Sequence, residues 1–384
     1  MSDKKYLITG SGVNDLTMAI NKAIEGAQHY IKLSSFLMQD YGIVEAIRKK
    51  SEEGEAAIFV LSNKKDNESE EYIETIKADG NNKERQVGFD NHQKFLKELF
   101  YSGIHVRLLD DLHAKFIICD GKYSILMSAN IAPNSLHKNI ETGIEIGDED
   151  TASLEKVFDV MYNHADIVKF QGLLSKDVTV RINNKLRPDI LESLGGNLRL
   201  TVGSNHKTNL SLCHINTIYD SIINIINNAK EYLYLVTWHF KIRDGFLPEF
   251  MEALKKARER NVEVLIYTNT DTPTPSVALS KKNLKQFHTW GCKTYGDGLN
   301  HSKCVLSESE GIIFTANIDC VSGMNSGFEV GCMLTDEQRL IAKRHIDFQI
   351  GEIRIQNFKT SNQKSRNNKT TNTNYKKKQG YGYR

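Results

Sequence analysis

Short apolar runs typical of buried strands alternate along the chain with amphipathic stretches typical of helices. In the first half, the pattern predicts a helix at 14–23, a strand at 29–36, a helix from 43, a strand at 56–61, a helix at 91–101 and a strand at 106–109. In the second half, it predicts a helix at 219–229, a strand at 231–240, a helix at 247–260, a strand at 262–268, a helix at 281–290 and a strand at 293–295. Because the same order occurs twice and helix alternates with strand, we expect an α/β fold of two similar lobes.

Each predicted series ends in a hairpin that carries a His-x-Lys motif. The first motif is His113-x-Lys115 and the second is His301-x-Lys303, and an apolar run follows each lysine. We interpret each motif as part of the first strand of its hairpin, so that the histidine and the lysine point to the same face of the sheet. A single His-x-Lys is expected by chance in a chain of this composition, but a glutamate follows both motifs at the same interval. The repeated spacing predicts one site that is built twice.

The side chains that accompany each motif suit the handling of a phosphodiester. The predicted catalytic residues are His113, Lys115, Asn130, Glu141, His301, Lys303, Asn317 and Glu329, with Asp120, Ser128, Thr315 and Glu308 in support. Imidazole titrates near neutral pH, so it can act as nucleophile or as general acid. Lysine and asparagine can hold the non-bridging oxygens of a phosphate, and a glutamate can fix the tautomer of an imidazole. The hydroxyl side chains are further candidate donors.

These residues resemble the paired His-x-Lys motifs of the phospholipase D superfamily. The first copy, at 113–141, matches the family pattern nearly in full, except that Met127 replaces a glycine. The second copy, at 301–329, is looser, with Glu308 in place of the aspartate and Gly327 in place of an asparagine. The resemblance covers both halves of the chain. It implies an α/β fold of two pseudo-symmetric phospholipase D-like lobes, each a mixed β-sheet flanked by helices, with the active site at the lobe interface.

The resemblance also implies a two-step displacement that needs no metal and no other cofactor. One histidine attacks phosphorus and becomes phosphohistidine, while the other protonates the leaving oxygen and then activates water or an alcohol. We take His113 as the nucleophile because its copy of the motif is the fuller one. The chain has no P-loop, no His-Glu-x-x-His and no Cys-x-x-Cys pair among its six cysteines. We therefore expect a site without metal, and reduced thiols.

One aromatic residue lies at the end of the first predicted strand of each lobe. Phe36 has this position in the first lobe and Trp238 has it in the second. Open α/β sheets bind their ligands at such strand ends. Both residues are therefore candidates for substrate binding, with a place in the hydrophobic core as the alternative.

These patterns divide the chain into a first lobe at 1–168, an inter-lobe connection with extra strands at 169–214, a second lobe at 215–358 and a basic disordered tail at 359–384. The whole chain has a formal net charge of +2. The tail contains many Lys and Arg, no acidic residue, and Tyr375, Tyr381 and Tyr383. Such a segment suits contacts with the phosphates and bases of a nucleic acid. Because the basic tail carries more positive charge than the whole chain, the residues before the tail are net acidic.

Among the activities that the resemblance covers, the sequence favours a nuclease that cleaves DNA or RNA. The basic tail points to nucleic acid, and no apolar run approaches the ~18 residues of a membrane span, so we expect a cytoplasmic protein. The net acidic lobes argue against this substrate. Two alternatives stay open: a phospholipase D or cardiolipin synthase-like phosphatidyltransferase that acts on membrane lipid, and a non-catalytic scaffold associated with nucleic acid.

Partners can be named only by analogy. A helicase or translocase would supply substrate to a nuclease of this type, in antiviral defence against foreign DNA. A homo-oligomer is a further option. The motif residues are compatible with DNA and RNA alike, because the phosphodiester is the same in both.

Overall fold

The computed structural model describes residues 5–63, 82–169, 178–180, 186–203, 213–243, 245, 247–270, 275–320 and 323–353. The predicted basic tail at 359–384 lies outside the described residues, and so does much of the predicted connection at 169–214. The predictions made for these segments therefore stay predictions.

The first lobe alternates strands and helices. Its elements are β1 (Tyr6–Gly10), β2 (Val13–Asn14), α1 (Asp15–Gly26), β3 (Tyr30–Ser35), α2 (Tyr41–Glu52), β4 (Ala57–Asn63), α3 (Asn82–Tyr101), β5 (His105–Leu109), β6 (Phe116–Cys119), β7 (Tyr123–Met127), α4 (Pro133–His137), β8 (Glu141–Ile146), α5 (Asp148–His164), β9 (Asp166–Lys169) and β10 (Val178–Val180).

The second lobe repeats this order after a short helix, α6 (Pro188–Glu192). Its elements are β11 (Leu198–Gly203), β12 (Ile215–Asn216), α7 (Thr217–Asn228), β13 (Tyr232–Thr237), β14 (Phe240–Lys241), α8 (Pro248–Glu259), β15 (Glu263–Thr268), α9 (Pro275–Thr289), β16 (Lys293–Gly296), β17 (Cys304–Ser307), β18 (Gly311–Phe314), β19 (Ile318–Asp319) and β20 (Gly327–Met333). A last helix, α10, is described over residues 336–353.

The two large sheets have corresponding strand orders. The first sheet runs β10-β9-β5-β4-β3-β6-β7-β8-β1-β2, and the second, in the same direction, runs β16-β15-β13-β17-β18-β20-β11-β12. In each sheet three neighbouring strands are parallel and the strands that follow are antiparallel. Strands β9 and β10 extend the first sheet only. The predicted pair of lobes, each with a mixed sheet and flanking helices, is confirmed.

The second sheet begins inside the segment that the sequence predicted as an inter-lobe connection. Strand β11 pairs antiparallel with β20, as β1 pairs with β8 in the first lobe. Leu198, Leu200 and Val202 alternate along β11 and are buried in the core, which is the physical reason for its place in the sheet. Strand β11 therefore belongs to the same sheet as the strands of the second lobe.

The strands that carry the His-x-Lys motifs begin later than the sequence predicted. Strand β6 begins at Phe116 and β17 begins at Cys304, so each motif precedes its strand. The reason is that the backbone at both motifs leaves its own sheet and pairs with the opposite lobe, through the isolated bridges Leu112 to Phe328 and Ile140 to Asn300.

An apolar core fills the seam between the lobes. This core contains Phe116 and Ile118 of β6, Leu306 of β17, and residues of α5 and α10 such as Phe158 and Ile346. The opposite face of each sheet packs against its own helices, α1 to α4 in the first lobe and α7 to α9 in the second. Burial on both faces explains why the strands read as nearly continuous apolar runs.

An acidic residue in the turn of each hairpin holds the start of the neighbouring strand. The carboxylate of Asp120 accepts hydrogen bonds from the backbone N–H groups of residues 28, 29 and 30, at 2.8–2.9 Å. Glu308 accepts from the N–H groups of residues 230, 231 and 232, at 2.9–3.4 Å. Partial burial raises the pKa of Asp120, but the three N–H groups outweigh it and lower that pKa. The exchange of Asp for Glu in the second copy therefore preserves the contact.

We expect Asp120→Asn to lower the free energy of unfolding at neutral pH by about 1–3 kcal/mol, because three backbone donors lose a charged acceptor. Asn is chosen because residue 120 has φ 55°, a left-handed conformation that Asn tolerates. Urea denaturation measures this change, and Glu25→Gln, at an exposed acid of α1, is the matched control. The folded-state pKa is depressed, so the contribution should vanish as the pH falls through that pKa. Equal stability of the two variants at neutral pH would contradict the assigned role.

Candidate active site

The first His-x-Lys motif crosses the seam to the second lobe. The backbone N–H of His113 donates to the carbonyl of Phe328 at 3.0 Å, and the N–H of Phe328 donates to the carbonyl of Asp111 at 2.9 Å. Glu329 follows Phe328 in β20, so this pairing brings its side chain to the imidazole. The Nδ1 of His113 lies 2.8 Å from the Oε1 of Glu329.

The second motif makes the equivalent crossing in the other direction, to the first lobe. The N–H of His301 donates to the carbonyl of Ile140 at 3.0 Å, and the N–H of Ile140 donates to the carbonyl of Leu299 at 2.8 Å. Glu141 follows Ile140, and its Oε1 lies 2.7 Å from the Nδ1 of His301. Each histidine is therefore paired with the glutamate of the opposite lobe, and both pairs lie at the lobe interface.

The two hydroxyl residues of the motifs hold the glutamates. Ser128 donates from Oγ to Glu141, and Thr315 donates from Oγ1 to Glu329, both at 2.5 Å. Each hydroxyl also accepts the backbone N–H of the residue that follows the glutamate, at 3.0–3.1 Å. These contacts fix the carboxylates from the side opposite the imidazoles. The structure thus places Ser128 and Thr315 against the two glutamates.

Both motif lysines are completely buried beneath the histidines. The Nζ of Lys115 donates to the carbonyl of His113 at 2.5 Å, and the Nζ of Lys303 donates to the carbonyl of His301 at 2.6 Å. Burial lowers the pKa of Lys115 to about 7 and that of Lys303 to about 8, against the attraction of the two glutamates. A bound phosphate would stabilise the charged form of each lysine, since an opposite charge raises the pKa of an ammonium group.

Burial of the two histidines favours the neutral form of their imidazoles. Burial lowers the pKa of His113 and lowers that of His301 to about 4, although the paired glutamate acts in the opposite direction. Burial raises the pKa of Glu141 and Glu329, but the facing imidazoles and lysines outweigh it and lower both. A carboxylate can only accept, so each Nδ1 carries the proton and each Nε2 has a free lone pair. A ring nitrogen with a free lone pair can act as a nucleophile or as a base.

The two motif asparagines follow the second strand of each hairpin. The Oδ1 atoms of Asn130 and Asn317 are both buried without a hydrogen-bond partner in the structure. Asn130 is almost fully buried, whereas Asn317 lines a cleft beside His113. A buried amide without a partner is costly, and its NH₂ group could donate to a phosphate oxygen after a turn of the side chain. Asn317 is thus placed at the His113 cleft, whereas a ligand contact of Asn130 stays a prediction.

The two aromatic candidates each contact a motif histidine. The ring of Phe36 lies 5.4 Å from that of His113 with an interplanar angle of 67°. The ring of Trp238 lies 5.3 Å from that of His301 with an angle of 55°. Because β3 and β13 correspond, the two aromatic residues occupy equivalent places on either side of the site.

Two clefts open beside the histidines. We call the first, of about 410 Å³, the His113 cleft; it is lined by Phe36, Asn63, Asp110, Asp111, Leu112, His113, Asn317, Gly323, Ser326, Gly327 and Glu329. We call the second, of about 200 Å³, the His301 cleft; it is lined by Asn139, Trp238, Asn269, Gly298, Leu299, Asn300 and His301. The pseudo-symmetry of the lobes relates the two clefts.

Sequence reasoning missed a pair of asparagines in these clefts. Asn63 ends β4 and donates to the carbonyl of Leu112 at 3.0 Å, while Asn269 follows β15 and donates to the carbonyl of Gly298 at 2.6 Å. Each therefore braces the segment that leads into a His-x-Lys motif. The signal was present in the sequence, because a hydroxyl residue directly precedes Asn at the end of both strands, as Ser62 before Asn63 and Thr268 before Asn269.

The remaining predictions about the site concern thiols, metal and membrane. All six cysteines are buried free thiols. Within the described part of the chain, no three His, Cys, Asp or Glu side chains group in a way that could hold a metal ion. No helix among the described residues combines the length and the apolar character needed to cross a membrane.

Known proteins resemble the chain in sequence pattern and in fold. A family model described as "Cardiolipin synthase, PLD-like domain" matches residues 20–162 and 222–349, one segment in each lobe. Among curated protein sequences, none matches significantly. Among solved structures, phosphatidylserine synthase of Haemophilus influenzae Rd KW20 matches with a TM-score of 0.62 and 14% identity, over 90% of this chain and 85% of that chain.

Two further solved structures show the extent of the likeness. Polyphosphate kinase from Porphyromonas gingivalis matches with a TM-score of 0.52 and 13% identity, over 90% of this chain and 49% of that chain. The phospholipase D family member Nuc from Salmonella typhimurium matches with a TM-score of 0.34 and 14% identity, over 47% of this chain and 100% of that chain. At these identities the first two matches concern the fold alone.

The crossed pairing predicts which histidine responds to each glutamate. We expect Glu329→Gln to lower the pKa of His113 and to leave that of His301 nearly unchanged, because the charge that favours the imidazolium of His113 is lost. Glu141→Gln should lower the pKa of His301 in the same way. Side-chain ¹⁵N NMR titration of the histidines measures both values. A response of the histidine in the same lobe as the substituted glutamate would disprove the crossed arrangement.

Proposed function

Since the chain belongs to the phospholipase D superfamily, we propose that it is a phosphodiesterase that cleaves nucleic acid through a phosphohistidine intermediate. One observation carries the proposal: two imidazoles lie at the lobe interface, each held by a buried carboxylate of the opposite lobe and each close enough to the lysine of the other motif to be influenced by its charge. Two histidines are needed because one must bond to phosphorus while the other moves a proton.

In the first step, the Nε2 of one histidine bonds to phosphorus and the bond from phosphorus to the leaving oxygen breaks. The other histidine gives its proton to that oxygen. The negative charge of the bound phosphodiester favours the protonated form of this second histidine, which burial disfavours in the empty site. Lys115 and Lys303 stabilise the negative charge on the non-bridging oxygens. They supply within the protein the positive charge that a metal ion provides in other phosphodiesterases.

In the second step, a water molecule replaces the leaving group. The histidine that gave its proton now takes one from water, and the water oxygen bonds to phosphorus as the bond from phosphorus to nitrogen breaks. The product is a phosphate monoester, and both histidines return to their starting forms. The paired glutamates keep each Nδ1 protonated through both steps, so that each Nε2 stays directed to the reaction.

We assign the nucleophile to His113. The phosphoryl group stays bonded to the nucleophile between the steps, so its remaining substituent must fit beside that histidine. The larger cleft, of about 410 Å³, adjoins His113. The smaller cleft beside His301 then receives the leaving alcohol and the water. His113 is also the more exposed of the two side chains, at 26% against 15%.

Nucleic acid is the favoured substrate on two grounds. Phe36 and Trp238 flank the two histidines, and aromatic rings at such places can stack on bases. The segment 359–384 adds lysines and tyrosines suited to phosphate contacts and stacking.

A second candidate function is phosphatidyl transfer, in which a lipid alcohol replaces water in the second step. The description of the matching family as a cardiolipin synthase domain favours this reading. The catalytic residues would be the same in both reactions, because both substrates are phosphodiesters. Turnover of anionic phospholipid together with intact nucleic acid would support this candidate over the nuclease.

We expect the purified full chain to cleave labelled DNA or RNA in excess EDTA, because the side chains of the site supply the nucleophile, the acid and the positive charge. His113→Ala and His301→Ala should each lower kcat by at least about a thousandfold. His288→Ala, at an exposed histidine of α9, is the matched control and should retain activity. Cleavage that persists in both active-site variants would exclude the proposed site.

The assignment of the nucleophile predicts a difference between the two histidine variants with bis(p-nitrophenyl) phosphate. Its leaving group needs little help from a general acid, so His301→Ala should complete the first step and stall before the second. We expect a burst of one p-nitrophenolate per site and an acid-labile phosphohistidine at His113, found by peptide mass spectrometry. His113→Ala should give no burst. A burst in His113→Ala instead would reverse the assignment.

A further inference from the structure

A hydroxyl residue lies at the end of β3 and at the end of β13. Ser35 ends β3 and Thr237 ends β13, and both side chains are fully buried. Each directly precedes one of the two aromatic candidates, Phe36 and Trp238. The two strands occupy equivalent places in their sheets, so Ser35 and Thr237 are equivalent positions.

The hydroxyl of Thr237 joins two segments of the second lobe. Its Oγ1 donates to the carbonyl of His239 at 3.2 Å and accepts the N–H of Ile318 at 3.2 Å. His239 follows Trp238 in the chain, and Ile318 follows the motif residue Asn317. One side chain therefore holds the segment of the aromatic residue against the segment of the motif asparagine.

The hydroxyl of Ser35 makes the same two contacts in the first lobe. Its Oγ donates to the carbonyl of Leu37 at 2.7 Å and accepts the N–H of Ile131 at 3.1 Å. Leu37 follows Phe36, and Ile131 follows Asn130. The contacts occur in both lobes beside residues of the duplicated site, which relates them to the reaction rather than to the packing of one lobe.

The joined segments also pair through their backbones. In the second lobe, Phe240 pairs with Ile318 in the short parallel pair of β14 and β19. In the first lobe, Met38 and Ile131 form an isolated parallel bridge. Because this pairing adjoins the hydroxyl contacts in both lobes, a displacement of one segment would also displace the other.

In the second lobe the connection extends from one cleft to the other. Trp238 lines the His301 cleft, whereas Asn317 lines the His113 cleft. Thr237 is itself fully buried, so it can influence a ligand only through the residues that it holds. A phosphodiester placed between the two histidines would meet both of those residues.

We propose that Ser35 and Thr237 are positioning residues, each of which fixes the aromatic residue and the motif asparagine of its own lobe relative to each other. This proposal rests on the proposed phosphodiesterase function. An aromatic ring can bind a substituent of the phosphodiester, and the amide of an asparagine can hold a non-bridging oxygen. The reaction needs both contacts at the same time and in a fixed geometry, which the buried hydroxyls provide.

Removal of the hydroxyls tests the proposal. Thr237→Val keeps a β-branched side chain that suits a strand but removes both hydrogen bonds, whereas Thr237→Ser keeps the hydroxyl. With the full chain and bis(p-nitrophenyl) phosphate, we expect Thr237→Val and Ser35→Ala each to lower kcat roughly tenfold or more, because a misplaced asparagine stabilises the transition state poorly. Thr237→Ser should stay within about threefold of the unsubstituted chain. With labelled nucleic acid, KM should rise as well, because the aromatic residue is displaced.

Thr151→Val is the matched control. Thr151 of α5 is as buried as Thr237, and its hydroxyl lies 2.6 Å from that of Ser124. This pair lies at the opposite end of β7 from Ser128, so kcat should be nearly unchanged. Urea denaturation of every variant shows whether it is folded under the conditions of the assay. If Thr237→Val does not fold, Ser35→Ala provides the same test in the first lobe.

Double substitutions separate positioning from a general loss of stability. In an Asn317→Ala background, Thr237→Val should lower kcat by about twofold or less, because the residue through which it acts is gone. In an Asn130→Ala background, Thr237→Val should retain its full effect, because that asparagine belongs to the other lobe. Ser35→Ala should show the reverse dependence. A general loss of stability would have the same effect in both backgrounds.

The outcomes distinguish this proposal from the function on which it rests. If the unsubstituted chain cleaves neither bis(p-nitrophenyl) phosphate nor nucleic acid, the phosphodiesterase function is wrong and the proposal with it. If it cleaves them and folded Thr237→Val and Ser35→Ala keep their kcat, the proposal alone is wrong. The proposal would also be overturned if Thr237→Ser were as impaired as Thr237→Val, or if the effects were equal in the two asparagine backgrounds.

Discussion

Two short backbone crossings between the lobes determine the arrangement of the site. Where His113 and His301 leave their own sheets, their N–H groups pair with the carbonyls of Phe328 and Ile140 in the opposite lobe. In each case the residue after that carbonyl is the glutamate that meets the imidazole. Neither lobe contains a complete histidine–glutamate pair by itself. The apolar seam therefore contributes to function directly, because the pairs exist only while the lobes are packed together.

The charged side chains at the seam can be buried only because each of them has hydrogen-bond partners. Isolated buried ions are strongly disfavoured, and paired ones need further hydrogen bonds to offset desolvation. Here each glutamate faces an imidazole and accepts a hydrogen bond from a hydroxyl, and each lysine donates to a backbone carbonyl. The remaining imbalance appears as lowered pKa values of the histidines and lysines. An anionic phosphodiester bound at this place would raise the pKa values of these histidines and lysines again, because a negative charge favours their protonated forms.

The sequence predicted the order of elements and the motif residues that the structure brings together at the seam, because both are local patterns that repeat. It could not predict the crossing of the glutamates, since pairing between residues 216 and 160 positions apart depends on how the lobes pack. The start of β6 and β17 was misjudged for the same reason, because the alternation before Phe116 and Cys304 serves the opposite lobe. The role of β11 was missed because its partner β20 lies at the far end of the lobe.

The features that the two lobes share, and those in which they differ, can be understood from the proposed reaction. In that reaction an imidazole approaches phosphorus from each side, which accounts for the duplicated histidines, lysines and glutamates. Even the turn acids Asp120 and Glu308 make the same contacts. The two substituents of a phosphodiester have different fates, however, because one leaves first and the other stays on phosphorus. A symmetric site cannot distinguish them. The clefts beside His113 and His301 differ in volume, about 410 Å³ against about 200 Å³, and this difference is an asymmetry that the duplicated residues lack.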